Sequence, residues 1–517
     1  MVTTVSVNKT LIFVLMSSNT LAHLLNPSTP SDDAIIVPDG PTISYSQYAN
    51  EIERVAGLLA GTGVMPGRPV SIILPNSLEF MILFLAVARA GAVAAPLNSE
   101  YTIEEFKFFM EDANSQLAIV PQGAHKGRDA ANELGITVVD TSLDNGSLVL
   151  QENGKPWTKS SDPKPPSEED EALFLHTSGT TSRPKGVPLT HANLMKSIDN
   201  IKTHYELTPE DTSIIVMPLF HVHGLMGASL STLNSGGSLV IPPRFSASNF
   251  WELQKTNSAT WYSAVPTIHQ ILLMRADEEN APHESFRFIR SCSSALAPAV
   301  FERLENRFGS PVLEAYGMTE ASHQMSSSPM PPGKRIPGTV GQATGVDIAI
   351  MDMEATGKLQ NTGDIGEVVI KGDNVMHGYN NNPEANAEAF VNGWFRTGDQ
   401  GFLDSEGYLS LTGRIKELIN RGGEKISPLE IDGILLKHPA VAEAVCFAVP
   451  DEKYGEVVHA AVVLKSETDE DAIRTYCRDE MASFKVPDAI YITDKLPRTA
   501  TGKIQRRHMV EAFTKLG

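Results

Sequence analysis

Several residue types are scarce in this 517-residue chain. Its three cysteines, Cys292, Cys446 and Cys477, are too widely spaced for a disulfide framework or a metal cluster, which favours a reducing compartment. Positive charge is in deficit, since 42 Lys and Arg face 62 Asp and Glu and the formal net charge is −20. A negative field of this kind repels phosphate backbones, so the composition argues against nucleic acid as a partner. A site for a small anion would have to concentrate positive charge locally.

Long apolar runs are also missing. The run "LIFVLM" (11–16) has six residues, follows the single Lys9 and precedes no cleavage site. It is therefore too short for a secretory signal or a membrane span, and Met16 is an alternative start. The chain ends in "TKLG" rather than in the S-K-L peroxisomal address. We predict a cytoplasmic protein that has no membrane partner and acts as a monomer.

Strand-like and helical patterns alternate between residues 33 and 140, as "VSIILP" (70–75) and "SLEFMILFLAVARA" (77–90) illustrate. Such alternation predicts a mostly parallel sheet covered by helices. The polar, proline-rich stretch 151–171 predicts a linker or surface loop, after which a second α/β half begins. Strand patterns separated by turns between residues 338 and 411 predict a small antiparallel unit.

The composition changes again after "GRIKELI" (413–419). Ser427 is a predicted helix N-cap, with Pro428 at the first helical position and Glu430 closing a capping box. Strand and helix patterns follow to the end of the chain. The sequence thus predicts an α/β protein, in which residues 1–413 form two α/β sheet subdomains plus the antiparallel β unit. Residues 414–517 form a small α+β domain.

The segment "TSGTTSRPKG" (177–186) cannot build a core. It follows an apolar strand pattern and holds two glycines, five hydroxyl side chains and Lys185. Glycines let backbone N–H groups converge on an anion, while hydroxyls and a lysine add donors and charge. We therefore predict a phosphate-binding loop between a strand and a helix capped by Thr190. A plain surface loop is the alternative, and no Walker A motif occurs.

Four later segments accompany this loop in a fixed order: "YGMTE" (316–320), "WFRTGD" (394–399), "GRIKELI" (413–419) and "PRTATGKIQRR" (497–507). The series resembles the motifs of adenylate-forming acyl-activating enzymes, the superfamily of acyl-CoA synthetases, luciferases and peptide-synthetase adenylation domains. The resemblance implies that ATP and Mg²⁺ activate a carboxylic acid as an acyl-AMP, and that coenzyme A then takes the acyl group.

The resemblance also implies roles for residues at the nucleotide. The loop would hold the β- and γ-phosphates, Thr319 would contact the α-phosphate and Glu320 would bind Mg²⁺. Tyr316 would stack on adenine and Asp399 would accept the ribose hydroxyls. A solvated carboxylate, core packing and a turn are the respective alternatives for Glu320, Tyr316 and Asp399. The full predicted nucleotide set is Thr177, Ser178, Gly179, Thr180, Thr181, Lys185, Ser294, Ala295, Glu314, Ala315, Tyr316, Asp399 and Arg414.

Lys503 is the predicted catalytic residue of the C-terminal segment. In the resembling enzymes the matching lysine bridges the substrate carboxylate and the α-phosphate, and a mobile small domain carries it. The domain would rotate about a hinge at Lys416 to admit coenzyme A. Gly423 would then let the pantetheine arm pass close to the backbone. A solvated basic tail and a simple Gly-Gly turn are the alternatives.

Three polar residues, His221, Ser293 and His323, fall near the expected acyl pocket. A fatty-acid tunnel would leave them unpaired at about 1–3 kcal/mol each, whereas a second carboxylate would use them. "FHVHG" (220–224), "RSCSSALAP" (290–298) and "GMTEASH" (317–323) are most similar to oxalate-activating CoA ligases, which implies oxalate as the acid. Malonate, acetate or an aromatic acid, a binding-only relative and a carrier-loading module remain alternatives. No Cys or His at metal spacing supports a zinc pair in "FHVHG".

Overall fold

The computed structural model describes residues 19–25, 32–144, 146–177, 184–354, 356–499 and 502–514. Within these ranges no helix combines the length and the apolar character needed to cross a bilayer. The apolar run at 11–16 lies outside the described residues. The strands form four sheets, here called sheets A to D, and the predicted α/β fold is confirmed.

Sheet A is parallel at its centre and antiparallel at both edges. Val70, Ile72 and Ile119 are fully buried on its strands. The predicted loop at 151–171 is partly wrong, because residues 151–156 form the end of one hairpin of the sheet and Glu171 begins a strand, while residues 157–170 lack regular structure. In spatial order the strands are Lys185–Thr190, Glu171–Thr177, Val93–Pro96, Pro69–Ile72, Leu117–Pro121, Thr137–Asp144, Ser147–Glu152 and Lys155–Pro156.

Sheet B repeats this design with a parallel centre. Asp33–Ile36 lies in this sheet, where Ile35 aligns with Leu239, although the sequence pattern grouped it with the first half. Pairing partners are set by tertiary packing, which a local apolar pattern does not encode. In spatial order the strands are Gln342–Ala343, His323–Ser327, Val312–Met318, Phe288–Ser291, Trp261–Ala264, Thr212–Ile214, Ser238–Val240, Asp33–Ile36 and Thr42–Ser44.

Sheets A and B share one apolar core, in which the helix Leu78–Arg89 is buried along nearly its whole length. Thr190 caps the helix His191–His204 as predicted, since its Oγ1 accepts from the backbone N–H of Asn193. The further α-helices of this large part are Tyr45–Gly61, Ile103–Asp112, Lys126–Glu133, Val222–Gly224, Ser231–Ser235, Ala247–Thr256, Pro266–Arg275, Pro298–Phe308 and Pro383–Ala389. A π-helical turn, Leu225–Leu230, joins Val222–Gly224 to Ser231–Ser235.

Sheet C is antiparallel throughout, which confirms the predicted antiparallel unit. Its last strand ends at Arg414, so the backbone runs without a break across the predicted domain boundary, which stays a prediction. The strands are Asp347–Met351, Gly366–Lys371, Phe390–Val391, Trp394–Leu403 and Leu409–Arg414.

Sheet D lies in the C-terminal part and has an apolar core of its own that includes Ile419, Val458 and Ile473. Ser427 caps its first helix, but the Glu430 carboxylate binds Lys485 Nζ at 2.7 Å instead of closing a capping box, so that detail of the prediction is wrong. The strands are Ile419–Arg421, Glu424–Ile426, Val441–Asp451, Gly455–Leu464 and Ala489–Ile492, and the helices are Pro428–Leu435, Glu470–Glu480 and Met509–Phe513.

Candidate active site

Lys503 lies in a tight turn of the C-terminal part that contacts the large part. The backbone N–H of Thr499 donates to the Lys503 carbonyl at 2.8 Å, and the Lys503 N–H donates to Thr499 Oγ1 at 3.1 Å. Arg498 fastens this turn, because one guanidinium nitrogen donates to Thr267 Oγ1 at 2.8 Å on the helix Pro266–Arg275. The other binds Glu443 at 2.6 Å. The contact presents the lysine to the ends of sheets B and C.

The Lys503 ammonium interacts electrostatically with residues from distant segments of the chain. Burial lowers its pKa, while the carboxylates of Asp399 and Glu320 act in the opposite direction. Burial lowers the pKa values of His221 and His323, and the positive charge of Lys503 lowers them further. The structure therefore brings the predicted lysine together with predicted nucleotide and acyl residues.

Glu320 lies in the short 3₁₀ turn Thr319–Ala321 beside Lys185. The Tyr379 hydroxyl donates to Glu320 Oε1 at 2.8 Å, and Lys185 Nζ lies 3.8 Å from the centroid of the same ring. Burial lowers the pKa of Lys185, and Glu320 partly offsets this. Tyr379 thus connects the lysine and the carboxylate, a role that no local signal in "HGYNN" indicated.

Thr177 ends the strand before the predicted phosphate loop. Its Oγ1 is buried and has no hydrogen-bond partner among the described residues, as expected of a group that awaits a ligand. The predicted loop residues Ser178, Gly179, Thr180 and Thr181 lie outside the described residues.

The strand–loop–helix geometry predicted here is wrong. Lys185 begins a strand that pairs antiparallel with the strand before the loop, so that Lys185 aligns with Thr177. The strands on either side of the loop therefore pair with each other, and the helix starts only at His191. Alternation of the buried Val187 and Leu189 in "KGVPLT" was the signal for this strand.

Tyr316, Asp399 and Arg414 form one hydrogen-bonded group. The Tyr316 hydroxyl donates to Asp399 Oδ2, and Arg414 Nε lies 2.8 Å from Asp399 Oδ1. Asp399 and Arg414 are cross-strand neighbours in sheet C. Burial raises the pKa of Asp399, and the Arg414 charge opposes this rise. The group offers a carboxylate acceptor beside an aromatic ring.

Glu314 is buried on the strand Val312–Met318. Its Oε1 accepts from the backbone N–H of Leu296 at 2.9 Å, while its Oε2 is buried with no partner in the described part of the chain. Burial raises the pKa of Glu314 to about 8, so the carboxyl group is protonated at pH 7. Of the other predicted base-lining residues, Ser294 and Ala295 are exposed and Ala315 is buried.

His221, Ser293 and His323 converge around His223. His223 Nδ1 lies 2.9 Å from Ser293 Oγ, and the His223 ring stacks on His323 at 5.5 Å. The backbone N–H of His223 donates to His221 Nδ1 at 3.2 Å. Ser293 and His323 have φ angles of +74° and +140°. Non-glycine residues held at positive φ cluster at functional sites. Burial lowers the pKa of His221 to about 3 and holds those of His223 and His323 well below the usual range, so all three rings are neutral at pH 7.

Arg290 is the main residue that the sequence reasoning missed. It is fully buried and donates to Tyr205 Oη, Ser263 Oγ, His323 Nε2 and Gln324 Oε1 at 2.8–2.9 Å. In the part of the chain that the structure describes, it forms no ion pair with a carboxylate. A charged residue inside the apolar strand pattern "FRFIRSC" was the available signal.

Lys416 and Gly423 lie outside this cluster. Lys416 is exposed in the 3₁₀ turn Ile415–Glu417, where its charge reaches Lys185. Gly422 and Gly423 have φ angles of +63° and +100° in the turn of an exposed hairpin. Such a turn requires glycine for conformational reasons alone. The hinge and coenzyme A roles therefore stay predictions.

The described residues contain no group of three or more His, Cys, Asp or Glu side chains placed to hold a metal ion. His223 binds Ser263 and Ser293 rather than pairing with His221 as a metal ligand. Glu320 offers a carboxylate near both Lys185 and Lys503, which fits an Mg²⁺ ion that takes its other ligands from phosphate and water.

Comparisons with known proteins agree with this geometry. The model for the "AMP-binding enzyme" family matches residues 26–380, and that for the "AMP-binding enzyme C-terminal domain" matches residues 430–503. The chain is 50% identical over 496 residues to the probable CoA ligase CCL9 of Humulus lupulus, with 93% of each chain covered. It is 49% identical over 512 residues to the oxalate–CoA ligase of Arabidopsis thaliana, with 96% of this chain and 99% of the relative covered.

One solved protein is similar in two states. ATP-bound MatB from Rhodopseudomonas palustris has a TM-score of 0.87 at 32% identity, with 96% of this chain and 99% of that chain covered. The apo form of the same protein has a TM-score of 0.77 at 31% identity and the same coverage. By its motifs, its fold and these matches, the chain belongs to the AMP-binding enzyme family.

Proposed function

We propose that the protein is an AMP-forming acid–CoA ligase that activates oxalate. In the first half-reaction an oxalate oxygen attacks the α-phosphorus of ATP, which forms oxalyl-AMP and releases diphosphate. In the second, the thiol of coenzyme A attacks the acyl carbon and expels AMP. Both steps bring negative groups together, so catalysis consists chiefly of positioning and charge stabilisation.

The convergence of Lys503 with Glu320, Asp399 and the histidine cluster carries this proposal. Lys503 places its ammonium between the carboxylate of the acid and the α-phosphate, where charge develops during attack. Asp399 accepts the ribose hydroxyls, and Tyr316 supports the adenine. Thr177 and Lys185 contact the outer phosphates, and Thr319 contacts the α-phosphate.

Mg²⁺ held by Glu320 would neutralise phosphate charge during the first half-reaction. Tyr379 fixes one oxygen of that carboxylate by a 2.8 Å hydrogen bond, which orients the group without cancelling its charge. Hydrogen bonds to metal-binding carboxylates commonly orient them in this way.

In the second half-reaction coenzyme A must reach the acyl carbon. Lys503 lies beside the same carboxyl group in the first half-reaction, so the two cannot be there together. The greater similarity to ATP-bound than to apo MatB supports an arrangement suited to adenylation. Rotation about Lys416 would withdraw Lys503 and bring Gly423 toward the site. The monomeric state and the cytoplasmic location stay predictions.

Oxalate is favoured over other acids by the polarity of the acyl end. His221, Ser293 and His323 supply hydrogen-bonding groups and no apolar surface for a chain or an aromatic ring. The 49% identity to an oxalate–CoA ligase over nearly the full length supports the same choice. Malonate, acetate and aromatic acids are the competing substrates.

The test is release of diphosphate and of AMP by the purified full-length protein with oxalate, malonate, acetate or benzoate, each with and without coenzyme A. We expect the highest kcat/KM with oxalate and thioester formation only with coenzyme A. A preference of tenfold or more for malonate would replace oxalate as the substrate. Release of diphosphate with none of the acids would contradict the ligase assignment.

A further inference from the structure

Arg290 has an unusual position for a charged residue. Buried charges in proteins are ordinarily paired with an opposite charge, yet the groups within 3 Å of this guanidinium in the described part of the chain are two hydroxyls, an imidazole and an amide, with the Cys292 thiol as a further neighbour. A guanidinium can only donate hydrogen bonds and keeps its charge in proteins. Each of its neighbours must therefore accept.

The first consequence concerns His323. Arg290 Nη2 lies 2.9 Å from His323 Nε2, so this nitrogen must be the unprotonated one. The ring is neutral because burial and then the Arg290 charge hold its pKa well below the usual range. The single ring proton consequently resides on Nδ1, which becomes a donor on the side of the ring away from Arg290.

The second consequence passes through Ser263 to His223. Ser263 Oγ accepts from Arg290 Nη1 at 2.8 Å and lies 2.7 Å from His223 Nε2. If the serine also accepted from His223, its own buried hydrogen would have no acceptor among its neighbours in the described residues, which is costly. Ser263 therefore donates to His223 Nε2, and His223 carries its proton on Nδ1.

The chain of donors then reaches Ser293. His223 Nδ1 donates to Ser293 Oγ at 2.9 Å, which occupies the hydroxyl as an acceptor and leaves its hydrogen free. We infer that Arg290 is a positioning residue that fixes the tautomers of His323 and His223, and thereby makes His323 Nδ1 and the Ser293 hydroxyl donors for the second carboxylate of the acid. This inference deepens the proposed function and rests on it for the identity of the acid.

Gly227 provides the room for this network. A Cβ atom at this position would lie 2.4 Å from His323 Nε2 and 3.3 Å from Arg290 Nη1. The glycine lies in the π-helical turn Leu225–Leu230, a feature that occurs often at functional sites. An alanine here would force His323 away from Arg290.

The direct test uses the unaltered protein. Nitrogen-15 NMR of histidine-labelled full-length protein distinguishes the two neutral tautomers, and difference spectra of His323→Asn and His223→Asn assign the signals. We expect both rings to carry the proton on Nδ1 at pH 7, without any ligand. A proton on Nε2 of His323 would overturn the inference, whatever acid the enzyme uses. Absence of oxalate turnover with Nδ1 tautomers in place would instead count against the proposed function.

A kinetic test separates positioning from folding. Ser263→Ala removes one branch of the network and should raise the KM for oxalate about tenfold, as expected for one lost hydrogen bond to a charged group, with the KM for ATP unchanged. The tautomer of His223 should become mixed in the same variant, which a purely structural role would not produce. The matched control is Ser213→Ala, a buried serine on the neighbouring strand whose hydroxyl has no partner among the described residues. Equal effects of the two substitutions would contradict the inference.

Gly227→Ala provides an independent variant. We expect a rise of about tenfold or more in the KM for oxalate, with Gly433→Ala as the control because a Cβ there meets no described atom within 4 Å. Normal oxalate kinetics in Gly227→Ala would show that the contact between His323 and Arg290 is dispensable.

Discussion

The two ends of the proposed site balance charge in different ways. The nucleotide end comprises Tyr316, Glu320, Asp399 and Arg414, and the acyl end comprises His221, His223, Arg290, Ser293 and His323. At the nucleotide end Asp399 is paired with Arg414, and Glu320 interacts electrostatically with Lys185. At the acyl end the histidines are neutral, and the Arg290 charge has no carboxylate partner among the described residues.

This difference indicates what each end must recognise. A paired, partly exposed group can bind a neutral ribose and base without losing its own stabilisation. A buried positive charge that lacks an acidic partner is stabilised when an anion arrives, because opposite charges interact strongly where water is excluded. Under the proposed function, the acyl end would therefore select acids that carry a second carboxylate, and the nucleotide end would be indifferent to the acid.

Lys503 lies between the two ends, and its loss should have the largest effect. Lys503→Ala should slow diphosphate release about 100-fold or more, the scale found when one group that stabilises developing charge is removed. The affinity for ATP, measured by calorimetry, should change little. Lys495→Ala, an exposed lysine of the same part of the chain, is the control. Diphosphate release at the normal rate in Lys503→Ala would rule out the proposed mechanism.

His323 tests the acyl end alone. His323→Ala should lower kcat/KM for oxalate about 10- to 100-fold, because it removes one hydrogen bond to a charged group. The Kd for ATP should stay the same. His191→Ala removes another buried imidazole away from the site and serves as the control. A parallel loss of ATP binding would contradict the division into two ends.

Asp399 provides the reciprocal test. Asp399→Asn removes the charge that pairs with Arg414 and weakens the acceptor for the ribose, so the KM for ATP should rise about tenfold. The KM for oxalate, measured at saturating ATP, should change less than twofold. If both constants rise together, the nucleotide and acyl ends are coupled and the comparison fails.

The two ends also differ in how many of their residues could be predicted from the sequence. Lys503, Glu320 and Asp399 lie in ordered motifs, and the structure brings them together although more than 180 positions separate the first two. Arg290, Ser263 and Tyr379 act through contacts between strands and loops that no spacing rule records. The network at the acyl end depends on register, because Ser263 and Arg290 are aligned neighbours on adjacent parallel strands.

Local sequence patterns also predicted the presence of strands better than they predicted which strands pair with each other. The alternating pattern between residues 33 and 140 covers the strand Asp33–Ile36, but it does not indicate the place of this strand in sheet B beside Leu239. The strand Lys185–Thr190 was missed because its first two residues, Lys185 and Gly186, were assigned to the phosphate loop. In both cases pairing between strands decides the outcome, and pairing is a non-local property.

Replacement of Glu314 should change the stability of the protein but have the smallest effect on its activity. Its folded-state pKa of about 8 lies above the ordinary value of 4.5, so between these values the folded protein holds a proton that the unfolded chain has released. The free energy of unfolding should therefore fall as pH rises through this window, by roughly 1 kcal/mol per pH unit. Glu314→Gln is neutral at every pH and should remove this contribution.

The measurement is urea unfolding of the wild type and Glu314→Gln at pH 5.5, 7 and 8.5. The variant should gain stability relative to the wild type as the pH rises, while AMP release at pH 7 changes less than twofold because the native carboxyl group is already uncharged there. A constant difference between the two proteins across this range would show that Glu314 is ionised in the fold. Glu314 would then be a further charged residue at the nucleotide end of the proposed site.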